Sequence, residues 1–371
     1  MMRAPLIQHE DPIPRRIRRL DRKLGNIAAG RYGPDDFVIA DAKDADMAFG
    51  VTAAGPVVAG VPVGAAGPGR HRTRPAYLDA MRAIVAQGEL DILLTSASNG
   101  ERLAADASLD DEITLAVRAN DTTDIWNHRG ATYRIAPSRP FRTADLAAVR
   151  PFCDLVLYSV TFNHDLDHDL ATLAAYAAFR REATALGMRH FLEVFNPNAP
   201  SALAPGDVGA FVNDSIVRAL AGVTSAERPL FLKMAYNGAD ALAELVEHDP
   251  SVVVGILGGA AGTTRDTFEL LHRTQLHGGR VALFGRIRPT RSSCDSARWI
   301  LRPNSATRPP CSCVRCSSSN VSRVVPAAPP RMPTTTEGSC STSSASASAR
   351  TTRRWPRPVS APSGRWRPTS R

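Results

Sequence analysis

Eight short apolar segments, separated by polar turns and helix-like stretches, constrain the fold of this chain more than any other feature. They lie at residues 37–41, 90–95, 113–118, 155–160, 189–195, 229–235, 252–257 and 281–284. Short apolar runs bounded by turn residues are typical of buried strands, and their alternation with helices indicates an α/β fold. Eight such units over about 250 residues predict a (β/α)8 barrel, whose active sites lie at the carboxyl ends of the strands.

An open doubly wound sheet is the alternative arrangement of these segments. That fold commonly carries a G-x-G-x-x-G turn after its first strand, and no such turn follows residues 37–41. The similar lengths of the eight segments also favour a closed barrel. We therefore expect a barrel over residues 36–287, with a lead-in helix within residues 1–35 that closes its bottom.

The last 84 residues, 288–371, differ abruptly from the rest of the chain. They contain fifteen arginines and no lysine against two acids, Asp295 and Glu337, so this stretch carries a net +13 and the rest carries −4. No helical or strand periodicity continues past Ile287. We interpret residues 288–371 as a disordered tail that arises from out-of-frame translation, so the eighth helix of the barrel is expected to be missing. A natural basic tail that binds polyanions is the alternative.

Composition also excludes several classes of protein. Since the positive charge belongs to the tail, nucleic-acid binding is not expected of the barrel. Cys153 is the only cysteine before residue 288, which excludes a disulfide framework there. No apolar run approaches the roughly 20 residues of a membrane span. We expect a cytoplasmic protein with no membrane partner, no metal and no cofactor.

Lys233 is the charged residue of the apolar segment 229–235. Strand alternation puts it on the same face as Phe231 and Ala235. A buried ammonium is costly unless it is paired or gives up its proton. A lysine amine that points into a barrel can serve as a Schiff-base nucleophile. The alternative is a structural lysine that pairs with an acid such as Glu193 on the preceding strand.

Glycine-containing turns follow the seventh and eighth segments. The first includes Gly258, Gly259 and Thr263, and the second is Gly285-Arg286. Backbone N–H groups at a helix N-terminus and a guanidinium both bind phosphate, and this is the usual phosphate position of a barrel. These five residues therefore predict a phosphate-binding site. A tight turn with an N-cap at Thr263 is the alternative.

Other polar side chains follow the remaining strands. The residues that we predict to transfer protons are Asp41, Tyr158 and Glu193, and those that we predict to bind substrate are Arg118 and Asn196. Lys43 and Asp44 follow Asp41 in the same turn and are candidates for the same roles. A solvated charged turn and a half-buried strand tyrosine are the alternatives.

Three of these motifs together resemble the class I aldolases of the barrel type. They are Phe-Leu-Lys-Met at 231–234, Gly-Gly at 258–259 and Phe-Gly-Arg at 284–286. This group includes the archaeal-type fructose-bisphosphate aldolases and, more distantly, deoxyribose-phosphate aldolase. The body of the chain as a whole looks closer still to a group of uncharacterised bacterial barrel proteins. It implies that Lys233 forms a Schiff base, that Asp41 assists, and that the last two turns hold phosphate. Glu193 stands where the fructose-bisphosphate group has a tyrosine, and strand seven lacks the second lysine of deoxyribose-phosphate aldolase.

The expected function is therefore that of a class I aldolase-like lyase. Its partner would be a phosphorylated sugar or keto acid, and a homo-oligomeric assembly is left open. Two alternatives remain at this point. One is a phosphate-binding barrel isomerase or lyase without a Schiff base, and the other is a non-catalytic barrel protein.

Overall fold

The strands close into a parallel barrel. The computed structural model describes residues 17–57, 70–106, 109, 111–120, 127–258 and 264–285. Eight strands pair in chain order, and β8 pairs with β1. They are β1 (Val38–Lys43), β2 (Ile92–Thr95), β3 (Thr114–Arg118), β4 (Leu155–Thr161), β5 (Arg189–Phe195), β6 (Leu232–Met234), β7 (Val254–Leu257) and β8 (Val281–Phe284). Each overlaps one predicted segment, and the closed sheet confirms the (β/α)8 fold class.

Helices precede the first strand and connect consecutive strands. Those in the described ranges are α1 (Arg19–Ala28), α2 (Asp46–Phe49), α3 (Arg74–Val85), α4 (Ala97–Ala105), α5 (Leu146–Val149), α6 (Leu166–Ala185), α7 (Val208–Ala221), α8 (Ala239–His248) and α9 (Thr264–Leu276). Side-chain caps fix some of their starts: Asp145 accepts backbone N–H groups of α5, and Asp165 accepts one from α6. No helix in these ranges is both long enough and apolar enough to span a bilayer.

The interior of the barrel is an apolar cluster built from the inward faces of the strands. The rings of Phe191 and Phe231 stack there, with centroids 4.5 Å apart. Leu20 of α1 belongs to the same cluster, together with Val38, Ala40, Ala42, Ile92, Leu94, Ala116, Leu155, Leu157, Val281 and Leu283. Because Leu20 is buried among interior side chains, α1 closes the amino-terminal end of the barrel.

A buried ion pair anchors α1 at this closed end. Lys23 Nζ lies 2.7 Å from Asp91 Oδ2 and also donates to the Phe37 carbonyl at 2.8 Å. The backbone N–H of Ile39 donates to the same carboxylate oxygen. The ammonium is thus satisfied by fixed acceptors, which makes Lys23 a structural residue.

The outward faces of the strands pack on the surrounding helices in a second apolar layer. Tyr158 and Val160 of β4 belong to this layer, together with Tyr176 and Phe179 of α6. Adjacent residues of a strand therefore belong to different environments, the interior or the helix layer. Residues 288–371, with the predicted tail and the position of an eighth helix, lie outside the described part of the chain.

Candidate active site

A layer of polar and charged side chains follows the apolar interior at the carboxyl end of the barrel. It consists of Asp44, Arg118, Ser159, Glu193 and Lys233, all buried. Each stands two residues after a member of the interior cluster, namely Ala42, Ala116, Leu157, Phe191 and Phe231. Strand alternation points the four strand residues inward, and the contact with Arg118 shows that Asp44, one residue past β1, points there too. This is the end where barrel enzymes carry their sites.

Lys233 and Glu193 form the central ion pair of this layer. They are register partners on β6 and β5, and Lys233 Nζ lies 2.5 Å from Glu193 Oε1. Their residues are 5% and 2% exposed, so each charge needs the other. The pairing that the sequence offered as a structural alternative is thus present. The same contact also places a proton acceptor against the amine.

The chain contains three lysines, and the structure gives each a different environment. Lys23 lies at the opposite end of the barrel, bound to Asp91. Lys43 pairs with Asp41 on the outward face of β1. Lys233 is the lysine that lines the cavity at the carboxyl end.

Arg118 joins the carboxylates of this layer. Its Nη1 lies 2.8 Å from Asp44 Oδ2 and 3.4 Å from Glu193 Oε2, and its Nη2 donates to Ser159 Oγ at 3.0 Å. Its Nε donates to the backbone carbonyl of Asn120 at 2.9 Å. Two cations therefore face two carboxylates, and the charges of the buried layer balance.

Asp44 directly follows β1 and is the acid of the site on that side of the barrel. Burial by itself raises the pKa of this carboxyl, but the Arg118 guanidinium and the Lys233 ammonium outweigh burial and hold the pKa below its ordinary value. Asp44 is therefore a carboxylate at neutral pH. In that state it can accept a hydrogen bond from a substrate hydroxyl or stabilise a nearby cation.

A cavity of about 130 Å³ opens onto these groups. Its lining consists of Ala42, Asp44, Ala45, Phe49, Arg118, Glu193, Phe195, Lys233, Leu257, Gly258, Leu283 and Gly285. The two glycines are also required for packing. A Cβ on Gly258 would lie 2.0 Å from the Phe284 ring, and one on Gly285 would lie 2.9 Å from the Ala42 carbonyl oxygen. The ends of β7 and β8 thus border the cavity with backbone rather than side chains.

Two predicted proton-transfer residues lie outside this cavity. Asp41 is in register with Leu93, which packs in the helix layer, so its carboxylate points away from the barrel interior. Burial raises the pKa of Asp41, and its partner Lys43 partly offsets this effect. Asp44 therefore takes the place in the cavity that the sequence interpretation gave to Asp41.

Tyr158 also faces the helix layer. Its ring stacks on Phe179 with centroids 4.3 Å apart and lies 5.4 Å from the ring of Tyr176. Burial raises the pKa of the Tyr158 hydroxyl to about 12. The structure does not bring this hydroxyl to Lys233, because Ser159 is the residue of β4 that points inward.

Of the residues predicted to bind phosphate or substrate, Arg118, Gly258 and Gly285 line the cavity. Asn196 pairs reciprocally with Asn237, at 2.8 and 3.0 Å, and does not line the cavity. Gly259, Thr263 and Arg286 lie outside the described residues. The phosphate site therefore stays a prediction, with its two described glycines at the edge of the cavity.

Ser159 and Asn120 are site residues that the sequence interpretation missed. Ser159 Oγ donates to Glu193 Oε2 at 2.7 Å. Asn120 receives the Ser159 backbone N–H at 2.7 Å and donates to the Ser159 carbonyl at 2.8 Å. The available signal was a polar residue inside an apolar segment, but the sequence does not show that Ser159 shares the inward face with Leu157.

Comparisons with known proteins agree with the aldolase resemblance at the level of fold. No protein-family model and no curated protein matches the chain. A Corynebacterium glutamicum structural genomics target is similar in structure, with a TM-score of 0.52 and 19% identity, over 78% of this chain and 99% of that one. Fructose-bisphosphate aldolase from Slackia heliotrinireducens is similar with a TM-score of 0.53 and 12% identity, over 82% of this chain and 98% of that one.

Proposed function

We propose that this protein is a class I aldolase-like lyase that forms a Schiff base at Lys233. The observation that carries the proposal is the buried pair of Lys233 and Glu193, 2.5 Å apart, in a cavity at the carboxyl end of the barrel. A buried lysine that only stabilises the fold, as Lys23 does, needs no cavity beside it. The similarity in fold to a fructose-bisphosphate aldolase supports the same interpretation.

The first step joins the substrate to Lys233. Glu193 Oε1 takes a proton from the ammonium, and the free amine adds to the substrate carbonyl carbon. The carbonyl oxygen takes one proton from the nitrogen and one from Glu193, and it leaves as water. The product is an iminium whose positive nitrogen can accept an electron pair.

The second step breaks the carbon–carbon bond. Its electrons move toward the iminium nitrogen and leave a neutral enamine, while the hydroxyl of the departing aldehyde gives its proton to Glu193. The enamine carbon then takes that proton back, and water hydrolyses the iminium to release the carbonyl product and Lys233. Asp44 accepts a hydrogen bond from a substrate hydroxyl, and Arg118 balances the charge of both carboxylates.

A phosphorylated sugar or keto acid is the substrate class that we propose. The turns after β7 and β8 are the usual phosphate position of a barrel, and Gly258 and Gly285 border the cavity there. Phosphate oxygens would be bound by the turn that starts at Gly258 and by Arg286. The cavity of about 130 Å³ leaves room for the reacting end of a small molecule beside Lys233.

Reductive trapping tests the proposal. The full chain is incubated with pyruvate, hydroxypyruvate, dihydroxyacetone phosphate and a set of sugar phosphates, and then reduced with borohydride. The intact mass should rise by that of one reduced substrate in the wild type and in Lys43→Met, but not in Lys233→Met. An adduct that persists in Lys233→Met, or no adduct with any compound, would refute the Schiff-base mechanism.

A further inference from the structure

The geometry points to Ser159 as a positioning residue that holds Glu193 in the orientation needed for proton transfer beside Lys233. This inference deepens the proposed function and rests on it. Ser159 is buried, and it is the register partner of Glu193 across β4 and β5. It does not itself line the cavity, so it acts through the carboxylate and not on the substrate.

The direction of the Ser159 hydrogen bond follows from the chemistry of its neighbours. Arg118 Nη2 lies 3.0 Å from Ser159 Oγ, and a guanidinium can only donate. The hydroxyl oxygen therefore accepts from Arg118, and its own hydrogen points to Glu193 Oε2 at 2.7 Å. An ionised carboxylate can only accept, so this arrangement has a single orientation.

The backbone of Ser159 is itself held in place. The Asn120 side chain donates to the Ser159 carbonyl and accepts from the Ser159 N–H, at 2.8 and 2.7 Å. Arg118 Nε in turn donates to the Asn120 carbonyl at 2.9 Å. The Asn120 side chain thus fixes the backbone that carries the Ser159 hydroxyl. A rotamer change at Ser159 would break two charge-assisted hydrogen bonds.

The two carboxylate oxygens of Glu193 have different contacts and therefore different roles. Oε2 accepts from Ser159 at 2.7 Å and lies 3.4 Å from Arg118 Nη1, whereas Oε1 contacts Lys233 at 2.5 Å. Oε1 lies beside the nitrogen that would bond to the substrate, so it is the oxygen placed to reach the neighbouring carbon. Without the Ser159 bond, the remaining contact of Oε2 among the described residues is the longer one to Arg118, and the carboxylate can rotate about its terminal bond.

The proton transfer in question is balanced by the groups already named. Oε1 accepts a proton from the carbon beside the iminium carbon, and the electrons of that C–H bond form a C=C bond. The former C=N electrons move to nitrogen, which becomes neutral in the enamine. In D2O the reverse step returns a deuteron, so exchange of this hydrogen measures the step without any second substrate.

Two variants and two readouts test the inference. With the compound that gives a Lys233 adduct, borohydride trapping reports iminium formation, and proton NMR in D2O reports exchange beside the carbonyl. Because Glu193 also serves iminium formation, trapping is measured as its final extent after long incubation. Ser159→Ala should reach the wild-type extent, but its exchange rate should fall by about 10- to 100-fold, as expected for a misplaced general base. Ser159→Thr retains the hydroxyl and should regain exchange. Ser215→Ala, which removes a hydroxyl bonded to the Phe211 carbonyl in α7, should exchange as the wild type does.

The outcomes separate this inference from the proposed function. An exchange rate for Ser159→Ala within about twofold of the wild type would overturn the positioning role. So would an equal loss in the final extent of trapping, because a general structural defect removes the adduct itself. Absence of a Lys233 adduct in the wild type would overturn the Schiff-base mechanism and, with it, the basis for a role of Ser159.

Discussion

A double-mutant cycle on Lys233 and Glu193 should show strong coupling between the two side chains. The variants are Lys233→Met, Glu193→Gln and their combination. At the observed 2.5 Å, Coulomb's law with an effective dielectric constant near 20 gives about 7 kcal/mol of gross attraction. Desolvation of two buried groups offsets part of this attraction. We expect each single variant to lose about 3–5 kcal/mol in free energy of unfolding, because the remaining charge stays buried.

The double variant removes both charges and should therefore lose less than the two single variants together. Arg118 and Ser159 also contact the side chain at position 193, so Lys233 is not its sole partner. We therefore expect a coupling energy of about 2–4 kcal/mol. The measurement is urea denaturation followed by circular dichroism, with equal slopes required across the variants. The exposed pair of Arg265 and Glu269, 3.0 Å apart on α9, is the control. Its coupling should stay below about 0.5 kcal/mol. A coupling below about 1 kcal/mol for Lys233 and Glu193 would refute the description of a mutually dependent buried pair.

Three further predictions concern residues around the barrel. Asp44→Asn should slow adduct formation by about tenfold or more, since it removes a carboxylate from the cavity. Asp41→Asn should leave the rate of adduct formation little changed, and time-resolved trapping measures both rates. Gly255→Ala should lower the free energy of unfolding by about 1–3 kcal/mol in urea denaturation, because its Cβ would lie 2.6 Å from a β8 side-chain carbon. A Cβ on Gly206 would meet no atom within 4 Å, so Gly206→Ala should leave stability unchanged. Burial lowers the pKa of His190 to about 4 from its ordinary 6.5, so its contribution to stability is present above pH 6.5 and is lost as the pH falls toward 4. The loss is about 3 kcal/mol, and His190→Gln should lack this part of the pH dependence.

The barrel could be predicted from sequence because its signal is repeated. Each of the eight strands overlaps a predicted apolar segment, and no single segment had to be decisive. The strand bounds differ from the predicted ones: β1 runs to Lys43, whereas the predicted segment ends at Asp41. Helix α4 has a weak local signal in the sequence, since it begins in a Ser, Asn and Gly stretch of low helical propensity. The helix nevertheless carries a glycine at position 100, where a Cβ would lie 3.0 Å from Thr95 Oγ1.

Some residues of the buried layer stand out in the sequence because they are charged residues in apolar segments. Lys233, Glu193 and Arg118 are charged residues in apolar strands, and the structure places them together in the buried layer. Asp41 and Tyr158 lie on the outward faces of β1 and β4, towards the helix layer. Strands that are buried on both sides carry apolar residues on both faces, so hydrophobicity cannot decide which face points inward. Contacts across the barrel decide it, and a single sequence does not contain them.

The central claim is that Lys233 is the residue that forms a covalent bond with substrate. Since the chain has three lysines, peptide mapping by mass spectrometry after borohydride reduction can assign the adduct without ambiguity. We expect close to one adduct per chain on the peptide that contains Lys233, with Lys23 and Lys43 unmodified. An adduct on Lys23 or Lys43, or equal labelling of all three lysines, would contradict the account.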